Sequence, residues 1–201
     1  SYCADGGIFK IAYTDQHGQL TNYFIKKNSQ IEKRYLLINP FRRHKQSHQL
    51  DHNIDIQQKL RQLGIPVPTT FYIDKARGII IQEYFDGLPL DQANKQAVAV
   101  TEEIMRGIGS ALGMLHHYNY AHKDFYPQHI LINLKSRDFC FIDCEKTRYT
   151  INLNDFIKEL HIFSLLLSLT ISNRQLHNLW NNFMKGYQSG EFHYVQQVLS
   201  Q

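Results

Sequence analysis

No stretch of this sequence is long and apolar enough to span a bilayer. The longest apolar run, IFSLLLSLTI from Ile162 to Ile171, is ten residues long and contains two serines, about half of what a hydrocarbon core requires. Cysteine is scarce as well. Three in 201 residues is an odd number in a chain long enough to bury a core without staples, which excludes a disulfide framework and fits a reducing compartment. Cys140 and Cys144 bracket the run FID, but no second Cys/His pair lies at zinc-like spacing, so they read as two small buried residues. The beginning of the chain, SYCADGGIFK, lacks a basic start followed by an apolar stretch, so a cytoplasmic location is expected. Internal repeats and low-complexity segments are also missing. Charge of one sign does not dominate: 22 Lys+Arg face 18 Asp+Glu, a net +4 beside 11 histidines. That mild excess fits an anionic ligand, and no nucleic-acid partner is expected.

What is present is ample apolar and aromatic material: 43% hydrophobic residues, including 12 Tyr and 12 Phe, against 20% charged. This excludes disorder and suffices for one domain or two small lobes. The first third alternates. IFKIAY (8–13) and LTNYFIKK (20–27), joined by a polar loop, predict a β-hairpin. A basic stretch without a clean period covers 26–45; Leu50, Ile54, Leu60 and Leu63 then fall near helical spacing, stopped by Gly64, Pro66 and Pro68. TFYID (70–74) and GIIIQEYF (78–85) predict a second hairpin whose later strand is apolar enough to be central.

From Leu88 the pattern becomes helical. Ile104, Ile108, Leu112 and Leu115 form one stripe within 101–119, with Glu102 and Glu103 in the first turn. Gly107, Gly109 and Gly113 interrupt it at about 1 kcal/mol each relative to alanine, a cost that close packing against another backbone offsets. HILINL (129–134) and DFCFID (138–143) predict a short strand pair. Phe156, Leu160, Phe163 and Leu167 mark one further helix, and Leu176, Leu179, Trp180, Phe183, Met184 and Tyr187 another. A β-rich lobe with one helix, a connector near 83–88 and a helical lobe holding a β-hairpin point to a bilobal phosphotransferase.

The segment 122–143, HKDFYPQHILINLKSRDFCFID, carries the chemistry. Asp124 sits in a polar loop after an amphipathic helix, and Asp143 ends an apolar strand nineteen residues later; a hairpin between them brings both carboxylates into one cleft. Phosphoryl transfer needs one carboxylate to orient the attacking hydroxyl and accept its proton, and another to hold the metal that bridges the phosphates. Taken singly, Asp124 is an ordinary turn residue and Asp143 a strand-end cap. Together, H-x-D, a potential metal ligand after four residues, an apolar strand and a terminal Asp outline the kinase catalytic loop.

From about Gly6 to the 160s the chain resembles the protein-kinase-like superfamily, and 122–148 is similar to the bacterial lipopolysaccharide kinase family (Kdo/WaaP type), closest to its InaA-like branch. HKDFYPQHILI resembles that family's H-x-D-x-Y-x-x-H loop, in which His, here His129, stands where kinases have Asn. FIDCEKTR resembles the branch's I-D-L-E-K-x-R, which gives Asp143 the metal-binding role. The resemblance implies an α+β, protein-kinase-like bilobal fold, with residues 1–84 as an N-terminal nucleotide-binding lobe and 85–201 as a C-terminal catalytic lobe. It implies ATP with Mg²⁺ or Mn²⁺, Asp124 as the base, and His129 and Asp143 as metal ligands. His122 braces the loop, Tyr126 and Asn133 are structural, and Asn133 is a minor alternative for the metal.

In the small lobe, YFIKK (23–27) resembles the strand bearing the phosphate-binding lysine, which aligns with Lys26. Gly6 and Gly7 lie where kinases carry the Gly-rich loop, and two glycines let backbone N–H groups approach phosphate. QEYFDG (82–87) resembles a hinge in which backbone groups near Glu83 and Phe85 bond adenine. One departure stands out. The helix glutamate that partners the strand lysine falls on Asn53, flanked by Asp51 and Asp55, so either the register shifts or the charge pair is absent, which would suit a regulatory pseudokinase.

Only about ten residues separate Asp143 from the next helix, too few for a peptide platform. Small molecules or sugars remain as acceptors, and the resemblance suggests a saccharide, the lipopolysaccharide inner core. The stretch 26–45 holds Lys26, Lys27, Lys33, Arg34, Arg42, Arg43 and Lys45 against the single acid Glu32. It suits an anionic sugar or peripheral contact with the cytoplasmic face of the inner membrane; otherwise it is a solvated basic face.

Overall fold

The computed structural model describes residues 8–14, 17, 20–27, 40–74, 79–95, 100–171 and 173–189. They divide between two compact units, Ser1–Gln57 with Pro68–Tyr84, and Gln58–Val67 with Phe85–Gln201. The fold is the expected α+β, kinase-like one: a β-rich unit and a mainly helical unit. Among the described residues no helix is long and apolar enough to cross a membrane.

The first unit is an antiparallel sheet of β1 (Ile8–Thr14), β2 (Leu20–Lys27), β3 (Thr70–Asp74) and β4 (Ile79–Glu83) in the order β1-β2-β4-β3. The apolar strand β4 is central, as its isoleucine run requires. Lys26 lies opposite Ile8 on one side and Ile80 on the other. Helix α1, Pro40–Gln62, is tied to the sheet by Gln57, whose side-chain oxygen accepts from Thr70 Oγ1 and from Gln82 Nε2, the latter at 2.9 Å.

Helix α1 begins ten residues before Leu50, the first residue of the expected stripe. Its opening, PFRRHKQSHQ, carries only one large apolar residue, Phe41, so periodicity gives no sign of it, although Pro40 at the first position suits a helix start. Arg42, Arg43 and Lys45 thus fall on this helix, while 28–39 lie outside the described residues. The other end matches the expected stop. Gly64 has φ +75°, its N–H donates to Arg61 O (2.9 Å), and Ile65 N–H donates to Leu60 O (2.9 Å), a Schellman cap in which the left-handed residue is glycine.

The second unit contains a three-stranded sheet, β5 (Leu88–Pro89), β7 (Ile130–Ile132) and β8 (Phe139–Phe141), and a two-stranded one, β6 (Tyr120–Ala121) with β9 (Arg148–Tyr149). Its helices are α2 (Leu90–Lys95), α3 (Glu102–His117), α4 (Leu153–Ser168) and α5 (Asn173–Gln188). Thr101 caps α3, its hydroxyl accepting from Ile104 N–H at 3.3 Å. The stripe Ile104, Ile108, Leu112 and Leu115 is buried together with Phe156, Phe163 and Phe183, each worth about 1.5–3 kcal/mol of transfer free energy. Helices α3 and α5 cross at glycines. A Cβ on Gly109 would sit 2.0 Å from Phe183 O, and one on Gly186 would sit 1.9 Å from Arg106 O. Gly109 is therefore offset by close backbone packing as expected, while Gly107 faces the Phe139 ring.

Candidate active site

Residues 121–130 run from β6 into β7, and residues 141–148 run from β8 into β9. Both segments are consequently clamped at each end, by the β7–β8 pairing and by the β6–β9 pairing. Ile142 N–H donates to His129 O (2.9 Å) and fastens them once more between those points. The apolar strands thus bring Asp143 beside Asp124 and His129 of the preceding loop.

His129 Nδ1 lies 2.8 Å from the Asp124 carbonyl oxygen. A carbonyl can only accept, so Nδ1 carries the proton and Nε2 presents a lone pair. That Nε2 is 3.8 Å from Asp143 Oδ2, too far for a hydrogen bond and near enough for one cation to touch both atoms after a small shift. The exposed Gln128 amide approaches the same nitrogen at 3.5 Å, and a surface side chain of this kind yields to a metal. The donor set, one imidazole nitrogen and one carboxylate oxygen, fits Mg²⁺ or Mn²⁺ that completes its shell with phosphate and water. Among the described residues no group of three or more His, Cys, Asp or Glu is placed to hold a metal by itself.

Asp124 is nearly buried, at 9% exposure. Its Oδ2 accepts from Lys146 Nζ at 2.7 Å, a hydrogen bond that raises the lysine's pKa. Burial first, and then the neighbouring Asp124 charge, raises the Tyr126 pKa. Lys123 (φ +66°) and Asp143 (φ +55°) flank the site in left-handed backbone, which costs roughly 1–2 kcal/mol for a residue with a side chain and needs outside support.

Glu159 on α4 supplies that support to the catalytic loop. Its carboxylate, 5% exposed, accepts from His122 N–H (3.2 Å) and from Lys123 N–H. His116 Nε2 donates to the same group at 2.8 Å, and the Tyr187 hydroxyl donates to His116 Nδ1 at 2.7 Å. Burial raises the Tyr187 pKa and so keeps that hydroxyl protonated. Three helices therefore hold the backbone of 122–123 through one carboxylate. Lys123 Nζ pairs in addition with Asp155 Oδ2 at 2.5 Å; this lysine and the Thr150 hydroxyl lower the Asp155 pKa.

Sequence reasoning missed Glu159, His116, Tyr187 and Lys146. A sign of Glu159 was available, since it stands on the buried face of α4 between Phe156 and Leu160, and a charge there needs partners. His122, 1% exposed, is wedged against Phe125 and Phe141 with its Nε2 3.6 Å from Cys144 Sγ; burial lowers its pKa and keeps it neutral. Asn133 is engaged in a turn, its Oδ1 accepting from Lys135 N–H (2.9 Å) and Ser136 N–H (3.1 Å). Cys140 and Cys144 are buried, as expected.

Of the residues expected to bind nucleotide, Gly6 and Gly7 lie outside the described residues, and Lys26 is described by its backbone alone, in β2. Glu83 ends β4, where its N–H donates to Thr69 O (2.7 Å) and its carboxylate accepts from Thr69 N–H and Oγ1. Phe85 opens the second unit's main segment. On α1, Asn53 has a buried side-chain oxygen without a hydrogen-bond partner, Asp51 is half-buried and Asp55 is exposed.

The model of the lipopolysaccharide kinase (Kdo/WaaP) family matches residues 6–187, so the chain belongs to that family. It is also similar to the EKC/KEOPS complex subunit bud32 of Dictyostelium discoideum, with 24% identity over 136 residues, 65% of this chain and 53% of that protein. The chain thus spans about half the length of this curated relative.

Proposed function

We propose that this member of the lipopolysaccharide kinase family is an ATP-dependent phosphotransferase acting on a sugar hydroxyl, with the lipopolysaccharide inner core as acceptor. The observation that carries the reading is His129 Nε2 and Asp143 Oδ2 facing each other at 3.8 Å, with the His129 ring held by the backbone of Asp124. Asp124 takes the proton of the attacking hydroxyl; the acceptor oxygen bonds to the γ-phosphorus, and the bridging P–O bond breaks with its electron pair leaving on ADP. A divalent cation held by His129 and Asp143 supplies neutralisation of the phosphate charge. Lys26 orients the phosphates, and the backbone at Gly6 and Gly7 approaches them. The Glu83 carbonyl and the Phe85 N–H serve adenine, since the Glu83 N–H is bonded to Thr69. The basic residues of 26–45 meet the acceptor's anionic groups and the cytoplasmic face of the inner membrane.

Transfer of labelled γ-phosphate from ATP to purified lipopolysaccharide tests the reading. Asp124→Asn should cut turnover about 10²- to 10⁴-fold with nucleotide affinity spared, whereas Asp143→Asn should weaken Mg·ATP binding as well. Equal loss of ATP affinity in both variants overturns the role assignment. Asn53 favours a second reading, a nucleotide-binding pseudokinase, because an amide cannot supply the charge partner of Lys26; a thermal shift with Mg·ATP but no transfer identifies it.

A further inference from the structure

We propose that Lys146 is a catalytic cation that contacts the phosphoryl group in flight; the inference rests on Asp124 being the base. Lys146 closes the 3₁₀ turn Cys144–Lys146 that begins directly after Asp143. The turn is anchored by Thr147, fully buried, whose N–H donates to Cys144 O at 3.0 Å. The backbone is held while the side chain stays 56% exposed, with its ammonium 2.7 Å from Asp124 Oδ2. One short turn thus sets a metal ligand at its start and a fixed cation on the base at its end.

The base can hold this lysine and an acceptor together. A carboxylate has about four lone-pair sites, of which Lys146 occupies one. An acceptor oxygen bonded to Asp124 lies about 3 Å from it, and the phosphorus it attacks stands about 3–3.5 Å further on. An ammonium on the same carboxylate oxygen as the acceptor is then at most roughly 9 Å from that phosphorus, and its exposed, flexible stem lets it close on an equatorial oxygen, where the transition state gathers charge. As the acceptor proton passes to Asp124, the O–P bond forms and ADP departs with the bridging electron pair. Asp124 becomes neutral, and the attraction on Lys146 passes from the carboxylate to the phosphoryl oxygens. Hydrogen bonding to Asp124, together with the nearby Glu145 charge, keeps the lysine protonated for this role.

A pair whose lysine is more than half exposed is worth little by itself, which makes the inference easy to break. Lys146→Met and Lys146→Arg in the full chain are compared for turnover with purified lipopolysaccharide, and for binding of Mg·ADP with and without fluoroaluminate, a planar mimic of the transferring phosphoryl. Lys146→Met should lower kcat about 10²- to 10³-fold and lose a similar factor of the fluoroaluminate enhancement, while Mg·ADP affinity and thermal stability stay at parent values. Lys146→Arg should restore most of both. A kcat for Lys146→Met within about threefold of the parent, or equal weakening of Mg·ADP with and without the mimic, overturns it. Asp124→Asn run in parallel separates the failures: parent-like turnover there removes the base reading and this inference together, whereas a normal Asp124→Asn loss beside an indifferent Lys146→Met removes Lys146 alone.

Discussion

The two units are stabilised by different means. In the sheet unit, Ile11, Tyr13, Leu20, Phe71 and Tyr72 are all exposed, and order comes chiefly from the four-stranded hydrogen-bond ladder and from polar ties such as Gln57–Gln82. In the helical unit, Ile108, Leu112, Leu115, Phe163 and Phe183 are fully buried, and helix backbones touch at Gly109 and Gly186. Interiors packed this densely tolerate little displacement, while a half-solvated sheet surface does. The residues proposed to react, Asp124, His129, Asp143 and Lys146, all belong to the denser unit, where a carboxylate can be held to a hydrogen bond's tolerance.

The sharpest way to break this contrast is a methyl group at the helix crossing. Gly109→Ala or Gly186→Ala must push backbone away, because the new carbon meets carbonyl oxygens at 2.0 and 1.9 Å. Either should destabilise the protein by about 2–4 kcal/mol, beyond the usual 1–3 kcal/mol of overpacking because backbone, not a rotamer, must move. Tyr13→Thr in the sheet, an exposed position, should stay within about 0.5 kcal/mol. Denaturant midpoints measure both, and similar losses would abolish the distinction.

A smaller effect is expected at Glu159. Replacing it with Gln turns one acceptor oxygen into a donor facing donors from His116, His122 and Lys123, at about 1–3 kcal/mol for the buried groups left unmatched. With the left-handed backbone at Lys123 less supported, kcat should fall while the KM for ATP changes little. A rise in the ATP KM alone would show that Glu159 does not act on the catalytic loop.

The smallest effect is one of pH. Asp155 has its pKa lowered by the Lys123 and Thr150 hydrogen bonds, so its contribution is present above the ordinary carboxylate range and is lost as pH falls through the depressed folded value. Asp155 and Lys123 are both partly exposed, at 23%, and solvent screening limits the gain to roughly 1 kcal/mol or less. Asp155→Asn should therefore be less stable than the parent at neutral pH, with the gap closing as pH falls from the ordinary carboxylate range and vanishing below the depressed folded value. Parallel stability curves across that range would show that the pair with Lys123 contributes nothing.

Period and punctuation determine much of this protein directly. The β1–β2 hairpin, the central place of β4, the stripes of α3, α4 and α5, and the stop at Gly64 all follow from neighbours within one turn or one strand, which is the range over which side-chain spacing acts. The motifs HKDFYPQH and FIDCEK carry Asp124, His129 and Asp143 for the same reason, since each is a short segment whose flanking strands are legible. Helix α1 before Leu50 escaped because a polar helix has no stripe to read. Tertiary structure alone decided which groups surround those three residues. Glu159 reaches the loop across 36 and 37 positions, Tyr187 meets His116 across 71, and Lys146 meets Asp124 through a turn after a second strand. Such contacts are long-range pairings of buried donors and acceptors, which no local period encodes and which exist only once the helices have closed on the loop.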